Sequence, residues 1–317
     1  MLGGGFMSEK AFVRPDEVFK INNKAFMKAG PRLHVAFRPE EVQVAIVTCG
    51  GLCPGLNVVI RELVMCLYYN YGVKTIYGIK WGYEGFYSDN YKHWIPLNPK
   101  VVTDIHTQGG TILGSSRGGF HAEKIVDALV EKGINMVFGI GGDGTHRGIA
   151  ALNAEINKRG LKIVLGGIPK TIDNDIPLID RSFGFESAIE EANKAISSAN
   201  VEANCVPNGV GLVKLFGRSC GFIAMEATLA SRDVNICLIP EAKFNLYGEK
   251  GLLNFIFKRL KIKHHCVIVV AEGAGKNTVK LGSSVNDLKI SDTGKFDKSG
   301  NPVLPVRINL FRILVKF

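Results

Sequence analysis

A chain of 317 residues, 46% hydrophobic and 21% charged, has the make-up of a soluble globular protein with room for one large domain or two of middling size. It holds no apolar run near the about 20 residues that span a bilayer, and its start, MLGGGFMSEKAF, lacks the apolar core of a secretory signal. The net charge of +10 invites a nucleic-acid reading, but the lysines and arginines are scattered rather than laid along one helix face, which points to a basic enzyme that handles small anions.

Residues 1–40 read as irregular. VQVAIVT (42–48) then reads as a short buried strand, followed by the loop CGGLCPG and the amphipathic helix LNVVIRELVMCLYYN (56–70). KTIYGI (74–79) is a second strand, and the glycine-rich loops WGYEGFY and GGTILGSSRGG come after it. HAEKIVDALVEKG is a helix that stops at glycine, INMVFGI a buried strand, GGDGTHRG a loop, IAALNAEINKRG a helix and LKIVLGGI a buried strand. The alternation resumes with the long helix SFGFESAIEEANKAISSA (182–199), strand GVGLVKL, helix CGFIAMEATLAS, strand VNICLIP, helix GLLNFIFKRLKIK and strand CVIVV. Strands of five to seven apolar residues alternating with longer helices predict an α/β fold with mostly parallel sheets. We read two Rossmann-like lobes, residues 41–185 and 186–275, between the irregular start and a basic tail at 276–317. Ligands of such sheets sit where strands end and loops begin.

Four strand-end loops carry residues suited to phosphate chemistry. In TCGGLCPGLN, Gly50 and Gly51 let the backbone come close to a ligand at a helix start, although a plain tight turn explains the same letters. In GIGGDGTHRG, glycines surround Asp143, a suitable ligand for Mg²⁺, which takes one or two carboxylates plus substrate phosphates; the competing reading is a helix cap. Thr145 is placed to donate to a phosphate or to cap the next helix. GSSRGG sets Arg117 among small residues, where a guanidinium reaches a phosphate in bidentate fashion unless it is simply an exposed arginine. PKTIDND sets Lys170, Thr171, Asp173 and Asp175 just past a strand: one carboxylate to take a proton from an attacking alcohol, the other to organise its neighbours, with an Asx-turn as the bland alternative. Seven cysteines show no paired framework, and the C-x3-C of Cys49 and Cys53 lacks the further ligands of a zinc site, so reduced thiols and an intracellular home fit better.

Taken together, TCGGLCPGLN, LGSSRGG, GGDGTHRG, PKTIDND, SFGFESAI, KLFGRSCGFIA, IPE and VVAEGAG resemble the phosphofructokinase family from about residue 40 to about residue 275, most closely its plant and protist ATP-using branch. GGDGT alone is shared with NAD kinases and lipid kinases; PKTIDND followed by GRSCGFIA is specific. The resemblance implies transfer of the ATP γ-phosphate to the 1-hydroxyl of fructose 6-phosphate. It assigns the nucleotide phosphates to Gly50, Gly51, Arg117, Gly118 and the loop Gly142, Asp143, Gly144 and Thr145, with Mg²⁺ on Asp143. It assigns Asp173 as the base, Thr171 and Asp175 as positioners of the sugar and the transferred phosphate, and Lys170 as a charge neutraliser. Phe216, Gly217, Arg218 and Glu241, with Lys214 as a further phosphate contact, would hold the sugar phosphate. Pyrophosphate users tend to carry an acid where Gly144 stands, whereas they share a lysine at the position of Lys170; ATP is therefore the first donor and pyrophosphate the second.

The resemblance further implies a homo-oligomer, or a mixed one with longer subunits in which this chain modulates rather than catalyses, no nucleic-acid or membrane partner, and a cytoplasmic location with the plastid as the second choice. The text ceases to look like the family after NPVLP, and the family's YMIR-like phosphate-gripping segment is absent from these letters. From this we expect the 317-residue chain alone to be a poor catalyst of low stability.

Overall fold

The computed structural model describes residues 18–21, 24–27, 36–88, 94–177 and 179–275; the basic tail read at 276–317 lies outside them. The strand β3 (Gln43–Thr48) shows why the first sheet is buried on both faces. Its side chains alternate, Val44 and Ile46 to one side and Ala45 and Val47 to the other, and all four are fully buried. The first pair meets Leu56, Ile60 and Val64, spaced one turn apart on α1 (Leu56–Met65), which runs on as a single wider turn over Cys66–Asn70. The second pair meets Ile125, Val126 and Leu129 of α3 (Ala122–Glu131) and Leu152 and Ile156 of α4 (Asp143–Lys158). Each such aliphatic side chain contributes about 1.5–3 kcal/mol on leaving water.

The strands β4 (Thr75–Ile79), β5 (Ile95–Pro96), β6 (Met136–Gly141) and β7 (Val164–Pro169) complete a five-stranded sheet in the order β5-β4-β3-β6-β7. All neighbours are parallel except β4 and β5. The chain moves from β3 to β4 on one side and returns to β6 on the other, so the direction of winding reverses between β3 and β6. At such a switch point the loops leaving the two strands part and open a crevice.

A second sheet, β8 (Gly209–Leu215), β10 (His265–Ala271) and β9 (Ile236–Leu238), is wholly parallel with β10 in the middle. Its central strand alternates as β3 does. Val267, Val269 and Ala271 pack on α5 (Phe185–Cys205) and α6 (Phe222–Ser231), while Cys266, Ile268 and Val270 pack toward α7 (Leu252–Lys263).

Four sequence expectations are corrected. The stretch read as irregular contains an antiparallel pair, β1 (Val18–Ile21) and β2 (Lys24–Met27). The short β5 and the helix α2 (Pro99–Val102), capped by the Asn98 side chain, were not foreseen; two and four residues are too short to show a period. The strand β7, expected to be buried, lies at the sheet edge and leaves Val164 40% exposed. Finally, Asp143 to Gly148 are not loop: they form the first turns of α4. Glycine disfavours a helix by about 1 kcal/mol relative to alanine, but Gly148 is needed there, because a Cβ would sit 2.8 Å from the Tyr83 hydroxyl.

Candidate active site

The loops that leave β3, β6 and β7 enclose a cleft of about 480 Å³, with residues 116–118 closing its rim. Backbone bonds fix the three strand ends together: Cys49 N–H donates to Ile140 O at 2.9 Å and Lys170 N–H to Gly141 O at 2.9 Å. The glycine loop is clamped from outside, with Gly50 N–H donating to Ser116 O at 2.9 Å and the Ser115 hydroxyl donating to Gly50 O at 2.6 Å. Gly50 has φ +86°, open to glycine and strained for other residues. A Cβ on it would lie 3.9 Å from Lys170 Nζ, and one on Gly51 would lie 3.4 Å from Arg117 Nη2. Two cations thus face the bare glycine backbone, an arrangement suited to a polyanion.

Opposite them stands the start of α4. Its cap residue Gly142 offers no side-chain bond, so the first amides of the helix, which have no partner within a helix, border the cleft together with the exposed Asp143 carboxylate and Gly144. Thr145 does not cap the helix. It is buried, and its hydroxyl is turned back against Gly141. The turn is held from behind by Tyr83, whose hydroxyl donates to Thr145 O at 2.7 Å and whose ring meets Phe120 edge-on at 5.2 Å.

The loop after β7 supplies the acids. Thr171 Oγ1 donates to Asp175 Oδ1 at 2.8 Å and accepts from Asp173 N–H at 3.2 Å, so one hydroxyl sets the spacing of both. Asp173 lines the cleft, and its Oδ1 is buried without a hydrogen-bond partner among the described residues. Burial, then the charges of Asp175 and Glu272, push its carboxyl up from the usual 3.8 to about 6. Burial lowers the ammonium of Lys170; Cys53 and, less, Cys49 act to raise it, while the charge of Arg117 lowers it further. The Cys49 thiol is pushed up to about 12 by burial, which makes it an inert wall of the cleft.

The second sheet reaches this site through the turn after β8. The Cys220 thiol lies 3.6 Å from Asp173 O. Gly217 has φ +129° and no room for a Cβ, which would sit 2.5 Å from Cys220 O; Arg218 is half-buried beside Gly273, and Phe216 is exposed. Glu241 accepts from Gly221 N–H at 2.8 Å through Oε1, so part of its capacity goes to the start of α6. Lys214 stands exposed on β8 and forms no hydrogen bond or ion pair with these groups among the described residues.

The structure therefore brings together in one cleft the candidates Gly50, Gly51, Arg117, Gly118, Gly142 to Thr145, Lys170 and Asp173. Sequence reasoning missed Tyr83, Cys220 and Glu272. Each lies in a motif it quoted, but only packing over more than 40 residues of sequence separation reveals what it touches. Three potential metal-ligand atoms converge within 4.8 Å at Asp173, Asp175 and Cys220; Asp143 belongs to no such group among the described residues. Asp143 and the Asp173 oxygen that lacks a partner among the described residues line one cleft, a donor set that fits Mg²⁺, which fills most of its shell with phosphate oxygens and water.

The family model described as Phosphofructokinase matches residues 43–313. The chain is 56% identical over 296 residues to an ATP-dependent 6-phosphofructokinase 1 of Arabidopsis thaliana, covering 93% of this chain and 60% of that protein. It is 45% identical over 284 residues to the ATP-dependent 6-phosphofructokinase of Entamoeba histolytica, covering 90% and 62%. A crystal structure of a pyrophosphate-dependent phosphofructokinase from Marinobacter aquaeolei shares the fold with a TM-score of 0.63 at 21% identity, over 74% of this chain and 61% of that one. The chain spans little more than half the length of the curated relatives it matches. No helix among the described residues is long and apolar enough to cross a membrane.

Proposed function

The chain belongs to the phosphofructokinase family, and on that footing we propose that its cleft transfers the γ-phosphoryl group of ATP to the 1-hydroxyl of fructose 6-phosphate, giving fructose 1,6-bisphosphate. One observation carries the reading: a buried carboxylate oxygen of Asp173, left without a hydrogen-bond partner among the described residues, lines the same cleft at the strand tips as two cations and a helix start. Such an oxygen is costly unless a ligand meets it.

In this reading Asp173 is the base. A carboxyl raised to about 6 is ionised at neutral pH, yet is a better proton acceptor than an ordinary aspartate. It takes the proton of the sugar hydroxyl as the oxygen attacks phosphorus. Thr171 fixes the direction of Asp175 and the height of Asp173. Lys170, Arg117 and the first amides of α4 balance the charge of the phosphates. Mg²⁺, when bound at Asp143, supplies further neutralisation of the phosphoryl oxygens. The turn Phe216–Arg218 and Glu241, joined to Asp173 through Cys220, present the sugar from the second lobe (186–275) to the nucleotide lobe (41–185).

Gly144 favours ATP over pyrophosphate, because an acid in the first turn of α4 would face the nucleotide phosphates, and the plant and protist relatives are named ATP-dependent enzymes. A homo-oligomer, or a mixed assembly with longer subunits, and a location in cytoplasm or plastid complete the proposal; one relative at 52% identity is named chloroplastic. The test is a coupled assay of the purified chain with fructose 6-phosphate and Mg²⁺. Turnover with ATP above that with pyrophosphate supports the reading. Turnover with pyrophosphate alone overturns the donor, and turnover with neither leaves the chain a non-catalytic subunit.

A further inference from the structure

Resting on the reading of Asp173 as the base, we infer that Asn174 is a positioning residue: its side-chain amide ties the loop that carries Asp173 to the anchored segment that opens α5, and so aims the carboxylate at the cleft. Asn174 has φ +56°, the left-handed region that asparagine tolerates better than most residues other than glycine. Its side chain is used at both ends. Nδ2 donates to Asp180 O at 3.0 Å, and Oδ1 accepts from Ser182 N–H at 2.7 Å. An aspartate supplies only the acceptor, and glycine supplies neither group.

The far end of this brace is rigid. Ser182 is buried. The next residue, Phe183, lies against Gly55, where a Cβ would stand 3.3 Å from its ring, and its carbonyl accepts from the Cys53 thiol at 3.3 Å. Gly184 has φ +89° and is wedged so tightly on the Cys53 loop that a Cβ would lie 2.5 Å from Cys53 Sγ. The segment is thus pinned to the same glycine loop that faces the phosphates. The near end is held only through its backbone, where Asp173 N–H donates to Thr171 Oγ1 at 3.2 Å and the Cys220 thiol lies 3.6 Å from Asp173 O, while the carboxylate's buried Oδ1 makes no hydrogen bond among the described residues. What restrains the direction of Asp173 is its backbone, and the strongest polar restraint one residue away is the Asn174 amide.

The test uses the full chain and two variants, Asn174→Gly, which keeps the backbone angle unstrained, and Asn174→Asp, which keeps the acceptor. Amide exchange is followed at Ser182, the direct partner, and at Asp173, which Asn174 does not touch by hydrogen bond. In Asn174→Gly both amides exchange at least about tenfold faster while Ile268 in β10 is unchanged; in Asn174→Asp, Ser182 keeps most of its protection. Alongside, kcat falls about tenfold in Asn174→Gly with the KM for fructose 6-phosphate within about twofold, and Asn174→Asp recovers part of the loss. Faster exchange at Ser182 with Asp173 unchanged means a purely local brace and overturns the inference, as does wild-type kcat in Asn174→Gly. A wild-type chain inactive with both donors would sink the reading of Asp173 as base, whereas the exchange pattern still decides whether Asn174 aims the loop. Should Asn174→Gly fail to fold, Asn174→Asp carries the same comparison through the lost bond to Asp180.

Discussion

The raised carboxyl proposed to make Asp173 a base should cost the folded chain stability, and replacing it with asparagine should show by how much. Folding lifts its carboxyl from the usual 3.8 to about 6, so the folded chain binds more protons than the unfolded chain across that interval. The sign follows: the folded state loses stability as pH rises from near 4 to above 6 and regains none of it at higher pH. At about 1.36 kcal/mol per pH unit, the interval of 3.8 to about 6 corresponds to at most about 3 kcal/mol. Asp173 is only part-buried, so solvent screening reduces this to roughly 1–2 kcal/mol. The variant Asp173→Asn cannot ionise, and its amide can donate to the neighbouring carboxylates. Urea unfolding at pH 8 should find it more stable than wild type by roughly 1–2 kcal/mol, and at pH 4 by little or nothing, while phosphoryl transfer falls by several orders of magnitude. A variant equal to or weaker than wild type at pH 8 would show that the carboxylate is not held under electrostatic strain, and the argument for a poised base would fail with it.

Further outcomes follow from the same geometry. Gly144→Asp places a carboxylate in the first turn of α4 beside Asp143, and steady-state kinetics should show the apparent KM for ATP rising about tenfold or more, equivalent to about 1.4 kcal/mol. Gly184→Ala must fit a methyl 2.5 Å from Cys53 Sγ and 2.7 Å from Pro54 O at φ +89°; denaturant unfolding should show a loss of more than about 2 kcal/mol. Tyr83→Phe removes the hydroxyl bonded to Thr145 O at 2.7 Å, costing about 1 kcal/mol of stability and weakening nucleotide affinity, read by calorimetry, more than sugar affinity. With Asp173 as the proposed base, kcat/KM should rise as pH passes about 6 and flatten above it; a profile flat from pH 5 to 8 would exclude Asp173 as the base.

The alternation of strands and helices was legible because each buried strand is a short apolar run and each helix buries a stripe one turn apart, signals that need no distant residue. The glycine-and-acid loops were legible for the same reason: Gly50, Gly51, Asp143, Lys170 and Asp173 stand directly after strand ends, and a parallel sheet brings strand ends to one side. What the letters could not decide was environment. Apolar residues in β7 look alike whether the strand is central or at the edge, and only the order of the sheet leaves Val164 exposed. Glycines in Asp143 to Gly148 argue locally against a helix, but Tyr83, some 60 residues earlier, requires the bare Gly148. The proton affinity of Asp173 depends on burial and on Glu272, 99 residues away. Sequence alone therefore determined which groups stand at the strand tips, a matter of local pattern. Tertiary structure decided which of them are buried, aimed and electrostatically strained, because those properties belong to contacts between segments far apart in the chain.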